Sequence, residues 1–208
     1  HMSQSNYKTD NFISFDLARW CCELNYEDLS TEAIQAAKLF WYDSLGCALG
    51  GTKQKDARIL REQHDAMTES TGSSGGTCTL FGGGRANPVD AAFLNSHVVR
   101  AMDFNDIYWK ADPCHPSDMI CGPLALCEHL GLSGRDLILG TVIAYEIEMR
   151  LCEIGRPGVR EYGWHHATLT AFAAPFAAAR MLGLDVEQTV QSIGISASRG
   201  CSLGAVTA

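Results

Sequence analysis

The chain has 208 residues, of which 46% are hydrophobic and 19% charged, and its formal net charge is −8. That is apolar mass for one soluble domain, or one and a half. It offers no run long and charge-free enough to span a bilayer, because the most apolar stretch, 167–184, is interrupted by Pro175 and carries Arg180. The acidic balance and scattered Lys and Arg argue against a nucleic-acid partner; an anionic small molecule stays open, provided the few positive groups gather in one cleft.

His1-Met2 reads as a cloning scar and residues 1–10 as a flexible N-terminus, leaving 11–208 as one helical domain. Ser30 or Thr31 predicts the cap of a helix from Glu32 to about Leu49, stopped by Gly50-Gly51. Asn87-Pro88 predicts a capped helix to about Met102. Ser117 predicts the start of a helix ending at Gly131, and Ser133 with Asp136 forms a capping box for a long helix over about 135–153. An Ala-rich helix follows over 167–182, ended by Gly183, and Asp185 with Gln188 caps a last one to about Ser198. Strand signal is confined to Thr77–Phe81, and Ser70–Gly76 reads as a flexible loop. The expected fold is mainly α, built of antiparallel helices.

Nine cysteines, several inside apolar helical patterns (Cys21, Cys47, Cys127, Cys152), read as buried reduced thiols of a cytosol-like compartment rather than a disulfide scaffold. No Cys-x-x-Cys pair occurs, so Cys114, Cys121 and Cys127 near His115 do not form a zinc or iron–sulfur motif and no metal site is expected. Gly82-Gly83-Gly84 lacks a following Gly-Lys-Ser/Thr and reads as a turn. His64, His97 and His129 read as ordinary histidines, and Tyr145, Glu146 and Glu148 as a mixture of buried and solvated helix positions.

One segment breaks the helical pattern. From Asp103 to Pro116 the chain reads DFNDIYWKADPCHP, polar and aromatic between two apolar helices, which makes it the site candidate. Asp103, Asp106 and His115 supply the carboxylate and imidazole of proton transfer near neutral pH. Pro116 holds His115 out of the α region at the start of the next helix, where negative charge is stabilised. The second cluster, Gly163-Trp164-His165-His166, also precedes an apolar helix, and adjacent imidazoles there bind a carboxylate or move a proton. Asp103 alternatively caps a turn, and one of the two adjacent histidines alternatively packs.

These residues resemble the MmgE/PrpD family: PVDAAFLNSHVVRAMDFND at 88–106, HPSD at 115–118, SGRDLILGTVIAYEIEMRL at 133–151, YGWHHAT at 162–168, LGL at 182–184 and ISASRGCSLGAVTA at 195–208. The resemblance runs from about Asn11 to the last residue. It implies a 2-methylcitrate dehydratase, cis-aconitate decarboxylase or iminodisuccinate epimerase, acting on a small polycarboxylate by proton transfer without metal or organic cofactor. It carries the family's active-site Asp to Asp103, its loop His to His115 and its second His to His165, with Asn105, Lys110 and His166 as candidate substrate contacts. It implies a homodimer and a separate lid domain, absent here together with the site lysine, so that this stretch is a truncated helical domain, inactive alone. Two departures are Ile107, where the family often has Thr, and Ser96, where it often has Gly.

The leading expectation is therefore dehydration of 2-methylcitrate by His115 and His165 as a proton-transfer pair, with Asp103 orienting or tuning an imidazole. Decarboxylation and epimerisation are the alternatives within the family. A non-catalytic helical module that binds a partner or small acid, and a metal-dependent lyase, are the alternatives outside it. The compartment is cytoplasm, or the mitochondrial matrix in a eukaryote.

Overall fold

The computed structural model of the chain describes residues 12–72, 75–154, 157–198 and 201–207. The expected tag scar and N-terminal segment, and residues 73–74 of the expected loop, lie outside them. Among the described residues there are eight α-helices: α1 (Ile13–Glu23), α2 (Thr31–Gly51), α3 (Lys55–Thr71), α4 (Pro88–Arg100), α5 (Cys121–Leu130), α6 (Gly134–Ile154), α7 (Thr168–Leu182) and α8 (Val186–Ala197). The mainly α expectation holds. None of these helices is long and apolar enough to cross a membrane.

The cap chemistry places most boundaries. Ser30 Oγ accepts the Ala33 N–H, Asn87 accepts from Val89 and Asp90, and Asp185 and Gln188 close a reciprocal capping box. Ser133 Oγ donates to Asp136 at 2.7 Å at the head of α6. Three expectations need correction. α1 and α3 carry little turn chemistry at their starts, and the sequence reading omits both; neither N-cap, Phe12 or Gln54, makes a side-chain cap bond. Residues 70 and 71 belong to α3, not to a loop. Ser117 does not cap a helix: Pro116–Met119 is a separate 3-10 turn, α5 begins at Cys121, and the Ser117 hydroxyl turns to the site loop instead.

α6 organises the core because it is apolar on two faces. Leu139, Ile143, Ala144 and Ile147 join Ala18 and Cys21 of α1, Ala173, Phe176 and Ala177 of α7, and Ile193 of α8. Ile138 and Tyr145 join Ala37, Trp41 and Ala48 of α2 and Val98 and Val99 of α4. Spacings of three and four residues within each set are those of one helical face. Two buried hydrogen bonds tie the layers: Trp41 Nε1 donates to Thr141 Oγ1 at 2.9 Å, and the Cys21 thiol donates to the Phe176 carbonyl at 3.1 Å. All nine cysteines are free.

Gly50-Gly51 does not stop α2, which runs through Gly51. Gly51 is there for close approach to α4: a Cβ would lie 1.8 Å from the Val98 carbonyl oxygen. Gly51→Ala should therefore force the two helices apart and cost about 1–3 kcal/mol, as overpacking does, read as a shift of the urea midpoint without a change of slope.

Two small hairpins complete the fold. β1 (Cys78–Thr79), inside the one expected strand region, pairs antiparallel with β2 (Arg85–Ala86), which lies beyond it. Asn95 of α4 braces this turn, donating to the Thr79 carbonyl and accepting the Phe81 N–H, both at 2.8 Å. β3 (Tyr108–Trp109) pairs antiparallel with β4 (Pro113–Cys114) inside the segment expected to lack structure. The β3–β4 hairpin folds the polar loop back against α6, and so sets where His115 emerges.

Candidate active site

His115 follows β4 and heads the 3-10 turn, with φ −123° and ψ 84°, outside the α region as Pro116 requires. Its Nδ1 lies 2.6 Å from the Asp106 carbonyl oxygen. A carbonyl only accepts, so Nδ1 carries the proton and Nε2 of the neutral ring presents its lone pair. The expected anion-stabilising helix start is not there: a four-residue 3-10 turn has little of the aligned dipole of an α-helix.

His165 and His166 precede α7. Here the logic inverts. The Ala167 N–H donates to His165 Nδ1 at 3.1 Å, so the neutral ring carries its proton on Nε2. Arg160, on a 3-10 turn over Val159–Tyr162, donates from Nη2 to His166 Nδ1 at 3.0 Å, which places that ring's proton on Nε2 as well. The loop and the imidazole pair meet: ring centroids are 5.3 Å apart for His115 and His166, and 4.0 Å for His165 and His166. His166 is thus a buried wedge between the other two. Burial, the neighbouring imidazoles and then Arg160 and Arg100 push its pKa down to about 4. Burial, Arg160 and Arg100 also lower that of His165. Arg160, His165, Gly163, Trp164 and Leu203 line an open cleft of about 490 Å³.

The other expected residues are placed as follows. Asp103 is exposed, adopts φ 52°, and sets its carboxylate 2.6 Å from Arg100; its described contacts include no imidazole. Asn105 is buried and fully engaged by protein, accepting from Arg100 at 2.9 Å and donating to Ser117 Oγ at 2.8 Å. Lys110 lies apart from the imidazoles, 3.0 Å from Glu153 and against the Tyr108 ring, whose hydroxyl also donates to Glu153. Among the described residues, no three His, Cys, Asp or Glu side chains are grouped to hold a metal ion.

The site also contains residues that sequence reasoning missed. Arg100 and Arg160 are the cations nearest the imidazoles, so the acidic chain does gather positive charge in one place. Arg160 is itself held by buried Asp112, which accepts its backbone N–H at 3.0 Å and faces its Nε at 3.5 Å. Asp106, rather than Asp103, is the carboxylate that organises the loop. Its Oδ1 accepts the Ser117 hydroxyl at 2.5 Å and the Ser117 N–H at 3.2 Å. Asp118 lies 3.9 Å from Arg100, and burial raises its pKa to about 6 despite Arg100. The signal for the arginines was their position, one at the end of the helix entering the polar loop and one five residues before the paired imidazoles.

With this geometry in view, the comparisons with known proteins are specific. The MmgE/PrpD N-terminal domain matches residues 15–208. The chain belongs to the MmgE/PrpD family. It is similar to a probable 2-methylcitrate dehydratase of Saccharomyces cerevisiae, 28% identical over 90% of this chain and 38% of that protein. It is 31% identical to a mitochondrial 2-methylcitrate dehydratase of Yarrowia lipolytica, over 86% of this chain and 36% of that protein. It is 26% identical to a cis-aconitate decarboxylase of Aspergillus terreus, over 97% of this chain and 41% of that protein. The chain thus spans about two fifths of the length of these relatives, and its MmgE/PrpD match lies wholly in an N-terminal domain.

Proposed function

We propose that the full-length protein is a cofactor-independent lyase of small polycarboxylates, and that it dehydrates a 2-methylcitrate-like hydroxy-tricarboxylate. The observation that carries the reading is the opposed tautomers of two half-buried imidazoles on either side of the buried His166 ring: His115 offers a lone pair at Nε2, His165 an N–H. Elimination of water next to a carboxylate needs both. His115 takes the proton from the carbon beside the carboxylate. The C–H pair becomes the new C=C bond as the C–O bond breaks, and the proton returns through His115 to the departing hydroxyl. While the bond breaks, charge collects on the carboxylate oxygens, where the neutral His165 N–H stabilises it. Arg160 and Arg100 supply positive charge for the substrate carboxylates, and Asp103 keeps Arg100 in place. Lys110 and Asn105, bound to protein groups, are weaker candidates for substrate contact.

The names of the relatives favour dehydration, with decarboxylation beside it. The full-length protein should convert 2-methylcitrate to an alkene product, seen by its absorbance, without release of CO₂ and without loss on EDTA treatment. CO₂ release from cis-aconitate would move the assignment to a decarboxylase; silence on the whole panel would end the lyase reading. The free thiols fit a reducing compartment such as cytoplasm. Exposed Leu39, Tyr42 and Leu49 along α2 fit a homodimer.

A further inference from the structure

Glu148 is the least expected side chain in the molecule. It is 0% exposed, and neither carboxylate oxygen has a hydrogen-bond partner. It lies on the α6 stripe Thr141, Tyr145, Glu148 and Cys152, all buried. Thr141 and Tyr145 pack toward α2, while Glu148 and Cys152, further along, lie beside the 3-10 turn and β4, the two pieces of chain that flank His115. An ionised carboxylate without donors in such a place is prohibitively costly, so the group keeps its proton.

Its surroundings sharpen this. The groups acting on it are Asp118 of the 3-10 turn and Asp106 of the loop, both negative, and it acts in turn on Cys114 of β4, on Cys152 and on Tyr145. Tyr145 feels Asp106 first, as an acceptor for its hydroxyl, and Asp43 of α2 as well. The charged or titratable side chains of neighbouring α7 and α5 are engaged elsewhere: Arg180 on Leu24, Glu128 on Thr79 and His129 on Thr77. Three carboxyls therefore share one neighbourhood with donors enough for two. Asp106 has the Ser117 N–H and hydroxyl, and Asp118 has Arg100 and Asn105. Glu148 has neither, and burial with the two aspartates raises its pKa well above the ordinary carboxylate value.

We propose that Glu148 is a positioning residue of this site: a carboxylic acid kept neutral beneath the loop, so that no further charge disturbs the hydrogen bonds by which Asp106 holds Ser117 and the His115 segment in place. Ionising Glu148 would set a third negative charge against Asp106. The repulsion would push the Asp106 carboxyl from its place, which loosens its grip on the Ser117 hydroxyl and the loop that carries His115. The proposal rests on the lyase reading only where turnover is measured.

The test uses the full-length protein with Glu148→Gln, a neutral replacement of the same shape, beside Glu148→Ala. The wild type should show the infrared carbonyl band of a protonated carboxylic acid at pH 7, absent from Glu148→Gln. Its unfolded Glu148 releases a proton above about pH 4.5 that the folded protein retains. Stability is therefore full below that pH and falls as pH rises toward the raised folded value, so the folding constant of Glu148→Gln should gain on the wild type by about tenfold per pH unit. Protection of the amides in residues 103–116, relative to their intrinsic exchange rates, should fall at alkaline pH in the wild type and not in Glu148→Gln. Turnover should be lost in Glu148→Ala and restored by Gln to well within the roughly 10²-fold deficit that marks a missing proton-transfer group. A carboxylate band with no acid band at pH 7, or parallel stability–pH curves, would overturn the proposal. If the wild type turned over no polycarboxylate while the infrared and stability results appeared, the lyase reading would fail and the neutral Glu148 would stand.

Discussion

On the proposed mechanism, His115→Gln should lower the kcat of the full-length protein by about 10²–10⁴-fold, whereas His165→Gln should cost far less. The asymmetry follows from the two Nδ1 partners. His115 Nδ1 faces the Asp106 carbonyl, so its catalytic nitrogen is a lone pair, and an amide has no nitrogen lone pair basic enough to replace it. His165 Nδ1 accepts the Ala167 N–H, so its working atom is an N–H, and a glutamine amide presents one. In energy the first loss is about 3–5.5 kcal/mol of barrier, at 1.36 kcal/mol per decade. His165→Ala, which removes the donor outright, should approach the 10²–10³-fold that one oxyanion donor is worth. Steady-state rates on the preferred polycarboxylate check the pair. Equal losses in the two glutamine variants would mean that both imidazoles exchange protons, as a symmetric acid–base pair does. A larger loss at His165 would reverse the roles.

The sequence marked out the two candidate clusters, but not how their residues are wired. Asn87, Ser133 and Asp185 place helix starts because capping is local: each oxygen reaches an N–H two or three residues away. α1 and α3 lack such caps, and depend on what packs against them, which no window of sequence contains. The polar loop is legible because a helix cannot be built from Asp-Pro-Cys-His-Pro, and the His-His pair because it stands at the head of an apolar run. The β3–β4 hairpin is not legible, since two residues per strand leave no alternation to read.

The choice between Asp103 and Asp106 was decided by backbone geometry. Asp103 turns into the left-handed region and points to Arg100, while Asp106, three residues on, reaches Ser117 across the loop. Glu148, read only as one of a mixture of buried and solvated positions, could have been placed more sharply. An acid spaced seven residues from Thr141, three from Tyr145 and four from Cys152 belongs to their face of the helix, and that face is buried. Arg160 gains its meaning only from Asp112 and His166, one 48 residues distant in the chain and the other six.

The ring stack also makes acid stability a test of the same wiring. Three imidazoles in a row beside two arginines cannot all hold a proton, and the buried middle one yields first. The His166 pKa falls from 6.5 to about 4 in the folded protein. Between those values the unfolded chain binds a proton at His166 that the folded one refuses. Stability therefore drops as pH falls through this window, by about 1.4 kcal/mol per unit, and drops no further from this source below pH 4. His165 adds in the same direction. Asp118, raised to about 6, and Glu148 work the other way: their folded forms retain protons that the unfolded chain releases, which favours folding as pH falls. The wild-type curve is thus a sum of opposed slopes and conceals each of them. His166→Gln removes one, since glutamine does not titrate and its carbonyl still accepts from Arg160. Denaturant unfolding of the full-length protein from pH 7 to 4 should show the variant gaining on the wild type by about 1.4 kcal/mol per unit below pH 6.5, toward about 3 kcal/mol at pH 4. A constant difference across that range would show that the wedge histidine is protonated in the folded protein. The lone pair turned toward Arg160 would then be lost, and with it the ground for keeping His165 neutral beside it.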